Sequence, residues 1–492
     1  MVASPLAVES SRRLALLRRS PSFGYLFLAT AGSTFGTYLA AVALTVDVYD
    51  ETGSGRWVAA LLLANILQII FIGLFLGPLV DRLSRRRLMI ASDLVRLAVF
   101  AALPFVEAAE GVIALAAIAG VATGFFLPAV YAGLPNLVDE EDLTNANSLL
   151  QTVETLAWML GPVVGGVLLA VWGPAVPYVV NAGTFLLSAL LVARIPEAEL
   201  RSDEPLTQGH WRDVADGIKL VVISAPLRAV LVTWSVVALG AAAVSVAEVI
   251  FAKNDLDSGN IGFGFLVAAS GLGLALGSFF SAPALGKVGL RRHYVGSITL
   301  MGVGWGAAAL SGTIWLAVPL VVAGAVGNGG ATVCNRLFIQ RAAPDRYRGR
   351  ALATIMSSTY AVTGLGMAAA GALADVFGAR AIWMGASAVF LVGALVALVV
   401  TSWLPVASDA EQQAIEASSV SAVAALGDGR EQPLEQGPEQ TPAREPTPVL
   451  EPSALEPEPA PSANGQHSSL ERLAVLMEEI EGARDAEARR PS

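Results

Sequence analysis

Residues 77–87 read GPLVDRLSRRR and gather Asp81, Arg82, Arg85, Arg86 and Arg87 into one short stretch. Apolar runs nearly free of charge lie on both sides of it. Charge concentrated at a turn between two long apolar segments is the pattern of a chain that leaves and re-enters a membrane.

Composition points the same way. The 492 residues are 54% hydrophobic and only 15% charged, with a mean hydropathy of +0.62. Soluble domains carry roughly 25% charged residues. Too few charges remain to make a polar skin, so lipid must cover most of the surface. The apolar runs recur at about 20 residues, the length of helix that crosses bilayer hydrocarbon. They lack the alternation of barrel strands, which leaves helices as the spanning element.

Twelve spans are expected near residues 23–46, 57–80, 88–106, 112–135, 149–171, 175–194, 227–251, 260–285, 292–311, 314–340, 350–374 and 380–404. The first has no small-residue cleavage site after it and is read as a retained helix. The fold class is an all-α polytopic membrane protein with two six-helix bundles, 23–194 and 227–404. A cytoplasmic segment, 1–22, precedes them, and a linker at 195–226 joins them. Within the linker HWRDVADGIKLVV reads as an amphipathic helix. The connections expected on one side hold 20 Lys and Arg residues and those on the other hold 3, namely Arg56, Lys253 and Arg380. Both termini are therefore expected in the cytoplasm.

The net charge of −10 belongs to the end of the chain. Residues 405–492 hold 17 acidic and 6 basic side chains, leaving a net of +1 for the rest. This Pro- and Glu-rich tail is too polar to bury a core and is expected to be disordered and cytoplasmic. At its end, 468–483 places Leu470, Leu473, Met477 and Ile480 on one helical face, with Ser468 and Glu471 as a capping box. A dangling helix and a helix for a protein partner both fit. The single cysteine, Cys334, allows no disulfide, and His210, His293 and His467 have no metal-ligand spacing. No cofactor, metal set, nucleophile–base pair or nucleic-acid motif is evident, so an enzyme is not expected. GLGLALG at 271–277 follows no strand, and small residues for close helix packing explain it.

Six spans on each side of a linker is the layout of a transporter built from repeats. PALGKVGLRR at 283–292 sits in the second half where the opening stretch sits in the first. There Arg291 and Arg292 match Arg85 and Arg86 when the charges are aligned.

The opening stretch resembles the signature turn of the major facilitator superfamily, G-x-L-x-D-R-x-G-R-K. Gly77, Leu79, Asp81, Arg82, Arg85 and Arg86 match it, with Arg86 for Lys and Ser84 for a glycine. GPVVGG at 161–166 is similar to the antiporter signature of drug exporters through Gly161, Pro162, Gly165 and Gly166. Ala157 and Ser148 replace two further glycines of that signature. FFLPAVYAGLPNLV (125–138), LTNANSL and QRAAPDRYRGRA (340–351) resemble the branch with macrolide-efflux proteins and enterobactin exporters. The resemblance covers about 23–404.

That resemblance implies a latch at the signature turn that holds the halves together when the transporter faces outward. Gly77, Asp81, Arg82, Arg85 and Arg86 would form it, with Arg348 and Arg350 in the second-half cytoplasmic loop. Arg96 lies three residues from Asp93, a helical neighbour spacing, and is expected to pair with either Asp93 or Asp81, which makes Asp93 and Arg96 structural parts of the same latch. The resemblance also implies a cavity lined by spans one, four, seven and ten. Its candidate residues are Phe35, Tyr38, Phe125, Phe126, Tyr131, Trp234, Asn328 and Asn335, and aromatics with a few amides suit a bulky, partly apolar compound. Asp47, Glu154 and Glu248 are intramembrane carboxyls, open as proton or cation sites or as interfacial charges. Arg336 faces either cavity or headgroups.

Three functions follow. The first is export of a hydrophobic drug or secondary metabolite by alternating access with proton antiport, which would confer multidrug resistance. The second is lysolipid or lipid transfer, and the third is a non-transporting scaffold or sensor acting through its tail. The 28 Arg against 3 Lys suggest a GC-rich bacterial genome, and so a bacterial inner membrane.

Overall fold

The computed structural model describes residues 16–71, 83–200, 210–343 and 345–402, without the side chains of 67–71, 210–216 and 345–347. All of these belong to one compact unit, Met1–Gly429. Gly77, Asp81 and Arg82, the tail and its 468–483 segment lie outside the described residues.

The described chain is helical almost throughout. Six long helices come first: α1 (Pro21–Thr52), α2 (Gly55–Phe71), α3 (Arg85–Ala102), α4 (Ala109–Gly133), α5 (Leu143–Trp172) and α6 (Ala175–Val192). A shorter helix, α7 (His210–Ile223), follows. The remaining six are α8 (Ala225–Ile250), α9 (Gly259–Val288), α10 (Leu290–Ala309), α11 (Ile314–Ala342), α12 (Asp345–Phe377) and α13 (Ala379–Ser402). Among the described residues a helix occupies at least part of each position where a span is expected. Ten of them, some with an adjoining 3-10 or π turn, are long and apolar enough to cross a membrane. The other two are α2, whose described part stops at Phe71, and α10, whose first turn carries Arg291, Arg292 and His293.

Several helices overrun the hydropathy boundaries because caps, not hydrophobicity, end them. Ser20 begins α1 by accepting the Phe23 amide on its hydroxyl at 3.3 Å, with Pro21 in the first turn. Gly53 ends it at φ 60°, a left-handed conformation that costs other residues, and lets the chain turn directly into α2. Ser84 starts α3 by accepting the Arg87 amide at 3.4 Å.

The described helix ends gather at two places: Asp47 near the end of α1 meets Tyr178 at the start of α6, while Ser20 at the start of α1 meets Leu137 beyond α4 and Arg86 at the start of α3 meets Ala193 beyond α6. The Gly53 end carries the turn between α1 and α2. The Ser84 end carries the start of α3. Many outward side chains are themselves apolar, including Leu156, Leu160, Val164 and Val171 on α5 and Leu186, Leu187 and Leu190 on α6. A solvated helix would be polar there, so this surface belongs in lipid. Between helices the packing therefore rests on van der Waals contact and small residues.

Among the first six helices, α1 packs on α5 and α6, and α3 packs on α4 and α6. After α7 the same scheme returns, with α8 on α12 and α13, and α10 on α11 and α13. Two extensive pairings join the sets, α5 with α9 and α2 with α12, and slighter ones bring α8 to α1 and α2 and α9 to α1. The amphipathic α7 turns Leu220 and Val221 into a cluster with Leu227, Val230, Ile339, Ala351 and Ile355. Its Ile218 and Val222 are exposed. It is thus docked on the Ser84 end of α8, α11 and α12.

Candidate functional site

The glycine-rich turn of α5 sets how closely its neighbours approach. A Cβ at Gly161 would lie 2.8 Å from the Tyr38 Cβ, and one at Gly165 would lie 2.2 Å from the Leu39 carbonyl oxygen. Those two faces admit α1. A Cβ at Gly166 would lie 2.9 Å from the Asn260 carbonyl oxygen, and one at Gly264 would in return lie 2.6 Å from the Pro162 carbonyl oxygen. That face admits α9. The motif read as antiporter-like is thus the point where α5 meets both α1 and the second set of helices, and Ala157 beside it is buried.

The α2–α12 pairing has the same form. A Cβ at Gly371 would meet the Gly55 carbonyl oxygen at 2.8 Å and the Ala59 Cβ at 2.7 Å. Further along, a Cβ at Gly364 would meet Leu63. These close approaches run from the middle of the helices toward the Gly53 end.

Polar bonds tie the two sets together at that end. Lys253 forms an ion pair with Asp50 and donates to Asn260 Oδ1 at 3.0 Å. Asn254 donates to the Tyr49 hydroxyl at 2.7 Å. Asp375 accepts from the Ser54 hydroxyl at 2.8 Å and from the Gly55 amide at 2.5 Å, and it pairs with Arg56 at 3.4 Å. Its carboxylate thereby caps the N-terminus of α2, where the helix dipole favours a negative charge. The sequence reading used Arg56, Lys253 and Arg380 only to orient the chain. Their partners are distant in sequence, so no local pattern pointed to a clasp. Arg380 stays within its own set, donating to the Ala309 and Ser311 oxygens at 2.6 and 3.0 Å and pairing with Asp255 at 3.3 Å.

Arginines organise the Ser84 end differently, by donating to the last carbonyls of neighbouring helices. Arg86 donates to Ala193 O just past α6, Arg291 to Leu398 O in the last turn of α13 at 3.2 Å, and Arg348 to Gln340 O in α11 at 3.0 Å. Arg87 pairs with Glu197 at 3.3 Å. The Glu197 carboxyl is held below the usual carboxylate range, first by its hydrogen bond with Ser84 and then by Arg87 and Arg86.

Within the first set, Asp93 and Arg96 are buried and joined at 2.5 Å, and Ser188 of α6 donates to the second Asp93 oxygen at 2.7 Å. The guanidinium lies 4.3 Å from the Phe185 ring centroid and 4.5 Å from that of Phe126. Of its two expected partners, Arg96 therefore has Asp93, and the group is closed.

The cavity candidates fall in several places. Phe126 is buried against Arg96, whereas Phe125 lines an apolar surface groove between α3 and α4 with Val95, Ile118 and Val121. Asn335 accepts from the Tyr294 hydroxyl at 2.7 Å, which ties α11 to α10. Trp234 is half-buried against the main apolar cluster, and Phe35 and Asn328 are half-buried. Glu154 is half-buried on α5. Tyr131 is a hydrogen-bond partner of that carboxyl, Gln151 donates to it at 3.4 Å, and Tyr38 lies within its field. Tyr360 on α12 is half-buried.

The other carboxyls differ from Glu154. Asp47 accepts from the Tyr178 hydroxyl at 2.8 Å. Glu248 is buried, and its Oε1 has no hydrogen-bond partner among the described residues. Arg336 is exposed at the Ser84 end of α11, and Arg350 in α12 is half-buried, its backbone oxygen 2.8 Å from where a Cβ at Gly217 would lie. Among the described residues no three His, Cys, Asp or Glu side chains gather to hold a metal.

Apolar helices with a lipid-facing surface, in two similarly packed sets joined chiefly along α5–α9 and α2–α12, define a multi-pass membrane transporter. Residues 12–431 match the family described as transmembrane secretion effector, and the chain belongs to that family, within the major facilitator superfamily. The multidrug efflux pump Tap of Mycolicibacterium fortuitum is 29% identical over 397 residues, covering 77% of this chain and 96% of that protein. The enterobactin exporter EntS of Shigella boydii serotype 4 is 29% identical over 283 residues, 54% of this chain and 65% of its own length. In fold, the nucleoside transporter NupG is similar, with a TM-score of 0.65 and 12% identity over 78% of this chain and 100% of that one.

Proposed function

We propose that the protein exports hydrophobic drugs or secondary metabolites across a bacterial cytoplasmic membrane by alternating access, coupled to proton antiport. In this reading twelve spans form two six-helix bundles, 23–194 and 227–404, with both termini and the Ser84 end in the cytoplasm. The excess of Lys and Arg at the Ser84 end supports that orientation, and relatives named as efflux and export proteins support the direction of transport.

One observation carries the alternating-access reading. The close approaches and polar bonds between the two helix sets, as described, lie from mid-helix to the Gly53 end. Gly166 with Asn260, Gly371 with Gly55, and Asp50 with Lys253 all belong there. Such an arrangement closes the outer side and is suited to a cleft open to the cytoplasm. Facing outward would require those bonds to break. The signature turn, with Gly77, Asp81, Arg82, Arg85 and Arg86, would then latch the cytoplasmic side against the loop holding Arg348 and Arg350. Asp93 and Arg96 stiffen the helix that carries this turn.

Glu248 is the candidate proton carrier. A buried carboxyl with an unpartnered oxygen in a spanning helix is costly to keep without a role. Asp47, by contrast, is satisfied by Tyr178. The test is dye export into inverted vesicles energised by a pH gradient, comparing wild type with Glu248→Gln and Asp81→Asn. Gradient-dependent transport that both variants reduce is expected. Transport that persists without the gradient would remove the proton from the mechanism.

A further inference from the structure

We infer that the groove between α3 and α4 is a binding site for an anionic phospholipid, with an acyl chain lying in the groove and the phosphate accepting from Arg85. The site goes beyond the export reading, since it lies on the outer wall of the first helix set and its ligand belongs to the membrane.

The groove begins on one face of α3. Arg85, Leu88, Ser92 and Val95 follow one another at helical spacings of three and four residues, which puts them in one stripe. Facing them, α4 supplies Ile118, Val121 and Phe125. The groove encloses about 510 Å³ and runs about 10 Å along α3, from Leu88 to Val95. Neither helix takes part in the extensive pairings between the sets, and Val95, Ile118 and Val121 are exposed. In a membrane this wall meets acyl chains.

The second set closes the equivalent place. A shift of 205 residues carries Arg86 and its bond to Ala193 onto Arg291 and Leu398, and it carries Ser92, Ala122 and Phe125 onto Ser297, Gly327 and Gly330. A Cβ at Gly327 would overlap the Ser297 carbonyl oxygen, and one at Gly330 would overlap the Ser297 hydroxyl. Those two glycines bring α11 directly onto α10. Ala122 and Phe125 carry side chains at the matching positions, so α4 cannot close on α3 in the same way. The Phe125 ring walls a groove where the second set has a seam.

The chemistry selects the ligand. Ser92 donates its hydroxyl to the Ala122 carbonyl oxygen, and every other lining side chain is hydrocarbon. An alkyl chain suits that floor, whereas a ligand rich in donors and acceptors would lose its hydration there without return. One turn before Leu88, Arg85 is half-buried, and its Nη1 has no hydrogen-bond partner among the described residues. A donor left in that state is costly, and a phosphate oxygen supplies a charged partner. Its neighbours are already engaged, Arg86 by the Ala193 carbonyl and Arg87 by Glu197. The three arginines outnumber the carboxylate paired with them, so a headgroup of net negative charge is favoured over a zwitterion.

The test uses the full chain, delipidated in detergent, and native mass spectrometry to read lipid retention. The probes are dioleoyl phosphatidylglycerol and dioleoyl phosphatidylcholine, which share their chains and differ in headgroup charge. Phosphatidylglycerol is expected to be held at least about fivefold more tightly. Arg85→Gln should remove most of that preference, and Arg85→Lys should retain it. Ala91→Phe fills the groove and leaves the arginines in place, so it should weaken both lipids several-fold and preserve the preference. Equal retention of the two lipids by the wild type overturns the proposal whether or not any variant folds. Retention indifferent to Arg85→Gln or to Ala91→Phe in folded protein overturns it as well. Dimers of the chain in place of lipid adducts would give the groove to a second copy and overturn it too. None of these outcomes depends on transport, so export can fail while the lipid site stands.

Discussion

Arg86 and Arg291 make the same bond in the two helix sets. Each donates to a backbone carbonyl at the far end of its set, Ala193 and Leu398, and each reaches across 107 residues of sequence. The offset of 205 residues between them recurs elsewhere. It carries the Phe100–Phe185 ring pair, at 5.6 Å, onto Trp305–Phe390, at 5.5 Å. It carries the left-handed Gly173 onto Gly378. It also carries Gly166, set against Asn260, onto Gly371, set against Gly55. Aligning charges alone matches Arg86 with Arg292. The hydrogen bonds shift that register by one, because they depend on which arginine reaches the neighbouring helix and not on which is adjacent in sequence.

Repetition of the seam gives the first prediction. Gly371 is to α2 what Gly166 is to α9, so adding bulk at either glycine should force the outer seam apart. Gly166→Val and Gly371→Val are each expected to cost about 1–3 kcal/mol of the closed arrangement, the usual penalty for overpacking. Cysteine labelling from the Gly53 side, at Leu63→Cys, should rise in both variants. A rise with Gly166→Val alone would show that the two seams are not equivalent.

The outer clasp should yield in a definite order. Asp50 is half-exposed, and an exposed ion pair contributes roughly 0.2–1 kcal/mol, so Lys253→Met should shift the outward-facing population only a few-fold. Asp375 accepts two hydrogen bonds and caps α2. Bonds to a charged group are worth about 1.5–3 kcal/mol, so Asp375→Ala should shift it tenfold or more. Double electron–electron resonance between spin labels on α2 and α12 would measure both. An effect of Lys253→Met equal to that of Asp375→Ala would contradict the ranking.

How much of this was legible in the sequence depends on the range of each interaction. Helix positions came from apolar runs, because a bilayer demands about 20 such residues wherever a helix crosses. The Asp93–Arg96 spacing was legible because helical geometry brings i and i+3 together. Glycine 161–166 could be singled out, but not that Gly166 faces α9 while Gly161 and Gly165 face α1, since that depends on helix rotation. Phe125 and Phe126 show the same limit. Adjacent residues on one helix point about 100° apart, and here one reaches a surface groove and the other the Arg96 guanidinium. The Asp50–Lys253 and Ser54–Asp375 contacts span 203 and 321 residues, and short-range patterns carry no trace of them.

Glu197 gives a pH-dependent contact at the Ser84 end. Its carboxyl is held below its ordinary value, so its bond to Ser84 and pairing with Arg87 exist above that value and are lost as pH falls through the lowered one. The contact should therefore hold throughout the ordinary carboxylate range and fail only at pH values below it. Hydrogen exchange at the first amides of α3 should then accelerate in wild type at low pH. Glu197→Gln should show the faster exchange at every pH, with no step.

The Asp93–Arg96 pair tests whether a buried charge is there for stability or to fix geometry. Both side chains are nearly inaccessible, and each satisfies the other, with Ser188 and two aromatic rings completing the shell. Removing one partner strands a charge in a low-dielectric interior, which typically costs about 3–5 kcal/mol. Arg96→Met and Asp93→Asn should each lower the thermal unfolding temperature in detergent markedly. Replacing both, as Asp93→Leu with Arg96→Met, should restore much of the loss, because no charge is left stranded. Ser188→Ala removes a single hydrogen bond to a charged oxygen and should cost about 1.5–3 kcal/mol. If the double variant is stable yet transports poorly, the pair's role is to hold α3, and with it the turn at Ser84, in a fixed position against α6. If it is both stable and active, the pair is dispensable and Arg86 with Ala193 suffices to dock the two helices.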